Sequence, residues 1–367
     1  MKKKIIVIDA TGANTFGAKY NIKSLLIYFI KNYKNHKLII YSSEPFLSEY
    51  DTNDIYIKNI SALKNLYLRL VWTTILLPVF SFFNKAEVVY SPFDIGPFFS
   101  LGNKIVLGIK NPNYVLPQNL VTLRYPKIHK VVSYISSFSA KKYLYPSNYA
   151  FNYVGKFYPK NNLKGGFVHH GIDLSDWTIK YDFLSSHKYI FFCSVLYKFK
   201  NIEVLFKALK IINEKIEGKK LHLIICGKFV SEQYRKEINN LIDSLGIRSE
   251  LKMFESLPRK EIIKYYQNAE LNIIPTLYET FGHMYLEALQ SGNPVLVGDI
   301  LIAREILDDS VLYFPCSDYK HLSEIVINRD YTRNHLKRKS RGFEIIKSFS
   351  VENECKKTFE FLLKNSK

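Results

Sequence analysis

Between Ile95 and Ile172 the chain has no Asp or Glu at all, against ten Lys and Arg. Residues 1–180 hold 23 basic and 9 acidic side chains, net +14, out of +19 for the whole. So lopsided a charge implies an anionic partner for the first half: a membrane surface, a lipid phosphate or a nucleic acid. Cysteine is also scarce. Cys193, Cys226, Cys316 and Cys355 lie far apart, without metal-type spacing. Cys193 and Cys226 sit in apolar runs and read as buried thiols, which suits a reducing cytoplasm. The apolar run after Lys2-Lys3-Lys4 stops at Asp9, so it reads as a first strand and not a signal peptide. Leu70–Phe83 is fourteen residues without a charge, but a span needs about twenty and Pro78 interrupts it. The expectation over Leu63–Phe83 is a buried core helix, with an interfacial membrane helix as the minor reading. Nothing there qualifies as transmembrane. Internal repeats, low-complexity tracts, Walker loops and Gly-x-Gly-x-x-Gly are absent.

What is present is enough apolar sequence for two domains: 367 residues, 47% hydrophobic. Short apolar runs alternate with helical patterns in both halves, which predicts two doubly wound α/β domains.

The stretch from Glu279 to Val295 carries the most information. Leu271–Pro275 reads as a buried strand. Thr280 is placed to cap a helix through Tyr285, Leu286 and Leu289, ended by Gly292 and Pro294. In open α/β sheets, ligands sit at strand carboxyl ends near helix N-termini. Backbone N–H groups at Phe281, Gly282 and His283 would then point at an anion. Glu287, two turns in, would lie beside a pair of hydroxyls. A glycosidase carboxylate pair is disfavoured. Such carboxylates stand about 5–10 Å apart, whereas eight residues of one helix rise about 12 Å.

Glu279, Phe281, Gly282, Glu287, Ala288, Gly292 and Pro294 together resemble the E-x7-E motif of the retaining family 4 glycosyltransferases. The resemblance implies the GT-B fold, two Rossmann-like domains facing a central cleft. It implies that Glu287 binds the ribose of a nucleotide-sugar and that Glu279 lies by the transferred sugar. Thr280, Phe281, Gly282 and His283 would hold the diphosphate and sugar. Lys200-Asn201, at a strand-to-helix loop, keeps the second half of the family's Gly-Arg-x4-Lys-Asn element. Lys200 and Glu279 are therefore the catalytic candidates, with Lys198 standing in for the missing arginine. Gly227, in a reduced Gly-x-Gly turn, and Leu257, in the loop expected to meet the base, complete the donor set.

The likeness is weaker in the first half. Gly12 and Gly17 remain from a glycine-rich loop lining the cleft. Lys110-Asn111-Pro112 resembles an Arg-Asn variant near the acceptor. Ser147 and Ala150 match a strand-end Ser-x-x-Ala, and His170-Gly171-Ile172-Asp173 matches the element before the linker. Adjacent His169 and His170 point to opposite faces of a strand, without an acidic partner at helical spacing, so a metal is rejected.

The domains expected are an acceptor-binding domain over 1–173, a linker over Leu174–His187, a nucleotide-sugar domain over 187–348, and a terminal helix over 349–367 crossing back. The activity implied is retaining transfer of a sugar from a nucleoside diphosphate to a lipid-linked or oligosaccharide acceptor. Surface-polysaccharide or O-antigen assembly at the cytoplasmic face of the membrane fits that, with peripheral contact through the basic half. No cofactor, metal or nucleic acid is expected. The alternatives are an epimerase or phosphorylase on the same scaffold, or a non-enzymatic basic protein that binds nucleic acid.

Overall fold

The computed structural model describes residues 3–111, 116, 117, 120, 126–181 and 188–364. Pro112 and His187 lie outside them. The chain divides into two compact units. One comprises Met1–Val115, Tyr125–Gly171 and Val351–Lys367, the other Leu116–Arg124 and Ile172–Ser350.

Among the described residues, the first unit is built on a seven-stranded parallel sheet. Its strands are β1 (Lys4–Ala10), β2 (His36–Ser42), β3 (Ile55–Asn59), β4 (Val88–Ser91), β5 (Lys104–Gly108), β6 (Lys142–Tyr145) and β7 (Gly165–Phe167). They are ordered β3-β2-β1-β4-β5-β6-β7. The helices are α1 (Phe16–Asn32), α2 (Leu66–Val71), α3 (Leu77–Phe83), α4 (Pro126–Ser139), α5 (Asn148–Tyr153) and α6 (Asn161–Lys164). β1 is a continuous apolar run because helices cover both faces of a parallel sheet. Ile6, Ile8, Leu38, Ile40 and Val88 meet Leu25 and Leu26 of α1, and Phe359 and Leu362 of the terminal helix. Ser147 caps α5 by accepting from the Ala150 N–H at 2.9 Å, which accounts for the Ser-x-x-Ala spacing.

The core-helix reading of Leu63–Phe83 is corrected. α2, a π-turn at Trp72–Leu76 and α3 form one 18-residue run over Leu66–Phe83. It is apolar enough to cross a membrane by length and composition, yet about a third of it is buried, along one face. That face is tied to the sheet through Thr73, whose hydroxyl donates to Asp9 at 2.7 Å. Burial raises the Asp9 carboxyl, and hydrogen bonds from Thr11 and Thr73 oppose the rise.

In the second unit six parallel strands run β10-β9-β8-β11-β12-β13. They are β8 (Tyr189–Cys193), β9 (His222–Cys226), β10 (Leu251–Phe254), β11 (Leu271–Ile274), β12 (Val295–Gly298) and β13 (Leu312–Phe314). The helices are α7 (Glu203–Lys215), α8 (Glu232–Leu245), α9 (Arg259–Asn268), α10 (His283–Ser291), α11 (Leu301–Leu307), α12 (Tyr319–Ile327) and α13 (His335–Ser348). The terminal helix, α14, spans Val351–Leu363 and packs in the first unit. The main segment of the second unit begins at Ile172, earlier than the sequence suggests. The Ile172 N–H donates to Phe349 at 2.9 Å, and the Trp177 ring lies 5.7 Å from that of Tyr266. Phe349 packs on Phe281, so it belongs with the second unit and not with the terminal helix.

Candidate active site

The strand order of the second unit reverses between β8 and β11. Loops leaving the carboxyl ends of two strands at such a point splay apart and leave a crevice. Lys200 lies in the loop after β8 and Glu279 in the loop after β11. The structure joins them: the Lys200 ammonium donates to Glu279 Oε1, and both side chains are buried. Asn201 locks the arrangement. It adopts a left-handed φ of 58°, and its amide donates to the carbonyls of Pro275 at 3.1 Å and Cys316 at 2.7 Å. Asparagine tolerates that backbone better than most residues. Leu277 N–H donates to Phe199 O at 2.8 Å and closes the loops on each other.

The helix-capping expectation at Thr280 is corrected. α10 starts at His283, with Gly282 in the N-cap position at φ 87° and no side-chain cap. A Cβ at Gly282 would stand 2.6 Å from the Tyr285 ring, so the loop enters the helix as only glycine allows. The positive end of the α10 dipole therefore adjoins the Glu279–Gly282 loop. Phe281 is buried against Phe349, so its side chain is a packing element. Thr280 is half-buried and His283 exposed.

Glu287, one turn into α10, forms an ion pair with Arg259 at the start of α9. Burial lowers Arg259, and Glu287 beside it more than compensates, so the net shift is upward. The Arg259 guanidinium also lies 5.8 Å from the Trp177 ring. Sequence reasoning misses Arg259, although it lies only two residues beyond Leu257, just past the loop expected to meet the base. Lys198 is not drawn to the Lys200–Glu279 pair. It bonds Glu237 of α8 at 3.0 Å, near the surface. Leu257 is half-buried, and its N–H meets the Cys226 thiol. Cys226 faces Cys193 in register across β8 and β9. Cys226 is buried and Cys193 half-buried.

Gly227 follows β9, with its N–H donating to Phe254 O at 2.8 Å. A Cβ there would overlap the carbonyl oxygen of Ser194, a backbone atom with no room to yield. Gly227→Ala is expected to cost about 1–3 kcal/mol by overpacking and to displace the loop carrying Lys200. Denaturant unfolding reads the first effect. A variant as stable as the parent would show that the loops tolerate separation.

The first unit holds a second polar cluster. Lys110 follows β5, and its ammonium donates to Asn21 Oδ1 at 3.2 Å. Asn21 donates to Glu354 Oε1 at 2.8 Å, and His170 Nδ1 lies 2.6 Å from the same oxygen. Gly171 N–H donates to Glu354 Oε2 at 2.7 Å. Asn21, Lys110, His170 and Glu354 line a small pocket with Tyr90 and Tyr145. Burial lowers Lys110, and Glu354 and Asp94 oppose it. The N–H groups of Lys110 and Asn111 both donate to Asp94, whose carboxyl burial pushes up to about 6. His170 thus has an acidic partner, supplied from α14 and invisible at local spacing. Gly12 lies close under Phe93, whereas Gly17 is exposed and no packing contact explains a glycine there. Among the described residues, no group of three or more His, Cys, Asp or Glu is placed to hold a metal.

Residues 176–340 match the family model described as Glycosyl transferases group 1. The D-inositol 3-phosphate glycosyltransferase of Corynebacterium aurimucosum is 31% identical over 120 residues, 32% of this chain and 28% of that protein. The O-antigen chain mannosyltransferase RfbU of Salmonella typhimurium is 24% identical over 176 residues, 48% of this chain and 47% of that protein. The chain spans less than half the length of these curated relatives. HepE of Anabaena, solved with UDP and glucose, superposes with a TM-score of 0.71 at 14% identity, over 98% of this chain and 99% of that one. Two Rossmann-like units with parallel sheets are the architecture of the GT-B glycosyltransferases, and the chain has that fold.

Proposed function

We propose that this chain is a glycosyltransferase that moves a sugar from a nucleoside diphosphate to a saccharide acceptor. The observation that carries the reading is the buried Lys200–Glu279 pair at the β8/β11 switch point, beside the N-terminus of α10. A diphosphate leaving group needs fixed positive charge as its negative charge develops. Lys200 and the α10 dipole supply it without a metal. Glu279 holds the Lys200 ammonium in place. Glu287 accepts hydrogen bonds from the ribose hydroxyls, with Arg259 turning toward the nucleotide. Support comes from the matched family model and from HepE, which binds UDP and glucose.

Transfer proceeds with retention. The bond between the anomeric carbon and the diphosphate breaks, and its electron pair stays on the phosphate oxygen. The acceptor hydroxyl bonds to the same face of that carbon. Its proton passes to the departing phosphate oxygen, so no protein base is assigned. The acceptor is lipid-linked, and the basic first unit works at the cytoplasmic face of the membrane in surface-polysaccharide synthesis. RfbU, an O-antigen mannosyltransferase, supports that class. Lys110 and Asn111 lie at the acceptor end.

Calorimetric titration with UDP, GDP, CMP and dTDP tests the donor site. One diphosphate is expected to bind in the micromolar range, about −8 kcal/mol, with no metal added. Glu287→Ala is expected to weaken it at least about tenfold, since charge-assisted bonds to two hydroxyls are lost. Equal binding by the variant, or no binding of any nucleotide, would remove the donor-site assignment.

A further inference from the structure

α4 is turned inside out. The face it packs on the protein carries hydroxyls: Ser133, Ser136 and Ser137 are fully buried. Ser133 donates to the Asp94 carbonyl, and Ser136 donates to the Ser133 carbonyl at 2.9 Å. The face it turns to solvent carries Ile128, Val131, Ile135 and Phe138, between 43% and 60% exposed. Their spacing of three, four and three residues is one helical stripe. An ordinary surface helix has the opposite polarity.

The α2–α3 run shares the exposed half of this pattern. Its inner face is mixed, with Trp72 and Leu77 buried beside Thr73, Thr74 and Ser81, while Leu68, Val71, Ile75, Phe82 and Phe83 are exposed. The two elements adjoin. Arg69 of α2 lies near enough to His129 of α4 to lower its pKa, although burial is the larger cause. The loop after β4 joins both, since Phe98 N–H donates to Thr74 O at 2.9 Å and Ser139 donates to Pro97 O. Phe99 and Leu101 of that loop are exposed as well. A monomer rarely keeps so wide an apolar face without a partner.

Charge selects the partner. There is no Asp or Glu from Ile55 to Ala86 or from Ile95 to Ile172. The cations on or directly flanking the two elements in sequence include Lys64, Arg69, Lys85, Lys130 and Lys141. A second copy of the chain would set this basic, apolar face against itself, because a two-fold interface repeats one patch on both sides. An anionic bilayer offers hydrocarbon to the stripes and negative headgroups to the cations.

We infer that α2–α3 and α4 form a membrane-docking face for anionic lipid, with both helices lying in the interface plane. This deepens the function proposed above, because a lipid-linked acceptor is presented at a bilayer. Cosedimentation with vesicles tests it, using phosphatidylcholine alone and phosphatidylcholine with about 30 mol % phosphatidylglycerol. The full chain is expected to bind the anionic vesicles at least about tenfold more tightly than the neutral ones. Val131→Glu/Phe138→Glu changes only exposed positions and is expected to abolish that preference. Leu336→Glu, at an exposed leucine of the second unit, is expected to leave it intact. Nucleotide titration of the same samples separates this inference from the donor site. The double variant is expected to bind nucleotide as the parent does. A parent that binds vesicles but no nucleotide would leave the docking face standing and the donor reading lost. Equal vesicle binding by the double variant overturns the inference. So does an absence of binding to the anionic vesicles by the parent, and a dimer that the double variant dissolves would then assign the face to a second copy.

Discussion

Replacing Lys200 with alanine is expected to lower the transfer rate by about two to three orders of magnitude. Removing one preformed donor to a developing oxyanion typically costs that much. The substitution has a second effect. Glu279 is buried, and Lys200 is the cation bonded to it. Taking away one partner of a buried pair typically costs about 3–5 kcal/mol, because the other charge stays desolvated. A loss of activity could thus reflect a loosened loop. Lys200→Met combined with Glu279→Gln separates the two effects, since it removes both charges while roughly keeping the volumes. The double variant is expected to recover most of the stability and none of the transfer. Initial rates and unfolding midpoints measured together decide it. If the double variant transfers sugar at the parent's rate, the ammonium has no role with the diphosphate.

The pair also shows what could be read without coordinates. Strand alternation, the glycines and the Glu279–Glu287 spacing pointed to the β8/β11 switch point, because each is a local signal. Lys200 was legible for the same reason: it ends one loop at the switch point. Its partner across 79 residues was not, since a contact between two loops has no period. Lys198 differs because a place two residues before Lys200 does not bring its ammonium to the same pair. Its ammonium reaches Glu237 on the next helix. Thr280 misled because capping preference is weaker than the turn that Gly282 imposes on the backbone. The outward apolar faces were hidden for a related reason. Hydrophobic periodicity tells which residues share a face, but not which face meets the sheet. In α4 the hydroxyls hold the inner side, where Ser133 donates to the Asp94 carbonyl, and in Leu66–Phe83 Thr73 shares it with Trp72 and Leu77 because Asp9 needs a donor there.

Glu354→Ala is expected to be strongly destabilising. Glu354 is the point at which α14 is fastened to the ends of β5 and β7. Burial alone would raise its carboxyl. The His170 charge and hydrogen bond, Lys110 and the Gly171 N–H outweigh burial and bring it down to about 2. A carboxyl that falls from its ordinary 4.5 to about 2 contributes about 3 kcal/mol, at 1.36 kcal/mol per unit. The folded value is the depressed one. The contribution is therefore complete above about pH 4.5, declines below it, and is gone once the pH has fallen through about 2. Alanine removes the carboxylate and leaves His170 and the Gly171 N–H without that acceptor, so the loss near neutrality is expected to reach about 3–5 kcal/mol. Glu354→Gln keeps the shape and part of the hydrogen bonding but not the charge, and is expected to fall between the two. Unfolding free energies at pH 7 and pH 3 provide the check. The gap between the parent and Glu354→Gln should narrow as the pH drops. A gap that stays constant would mean that the carboxylate's charge does not hold α14, and that packing of Phe359 and Leu362 alone does.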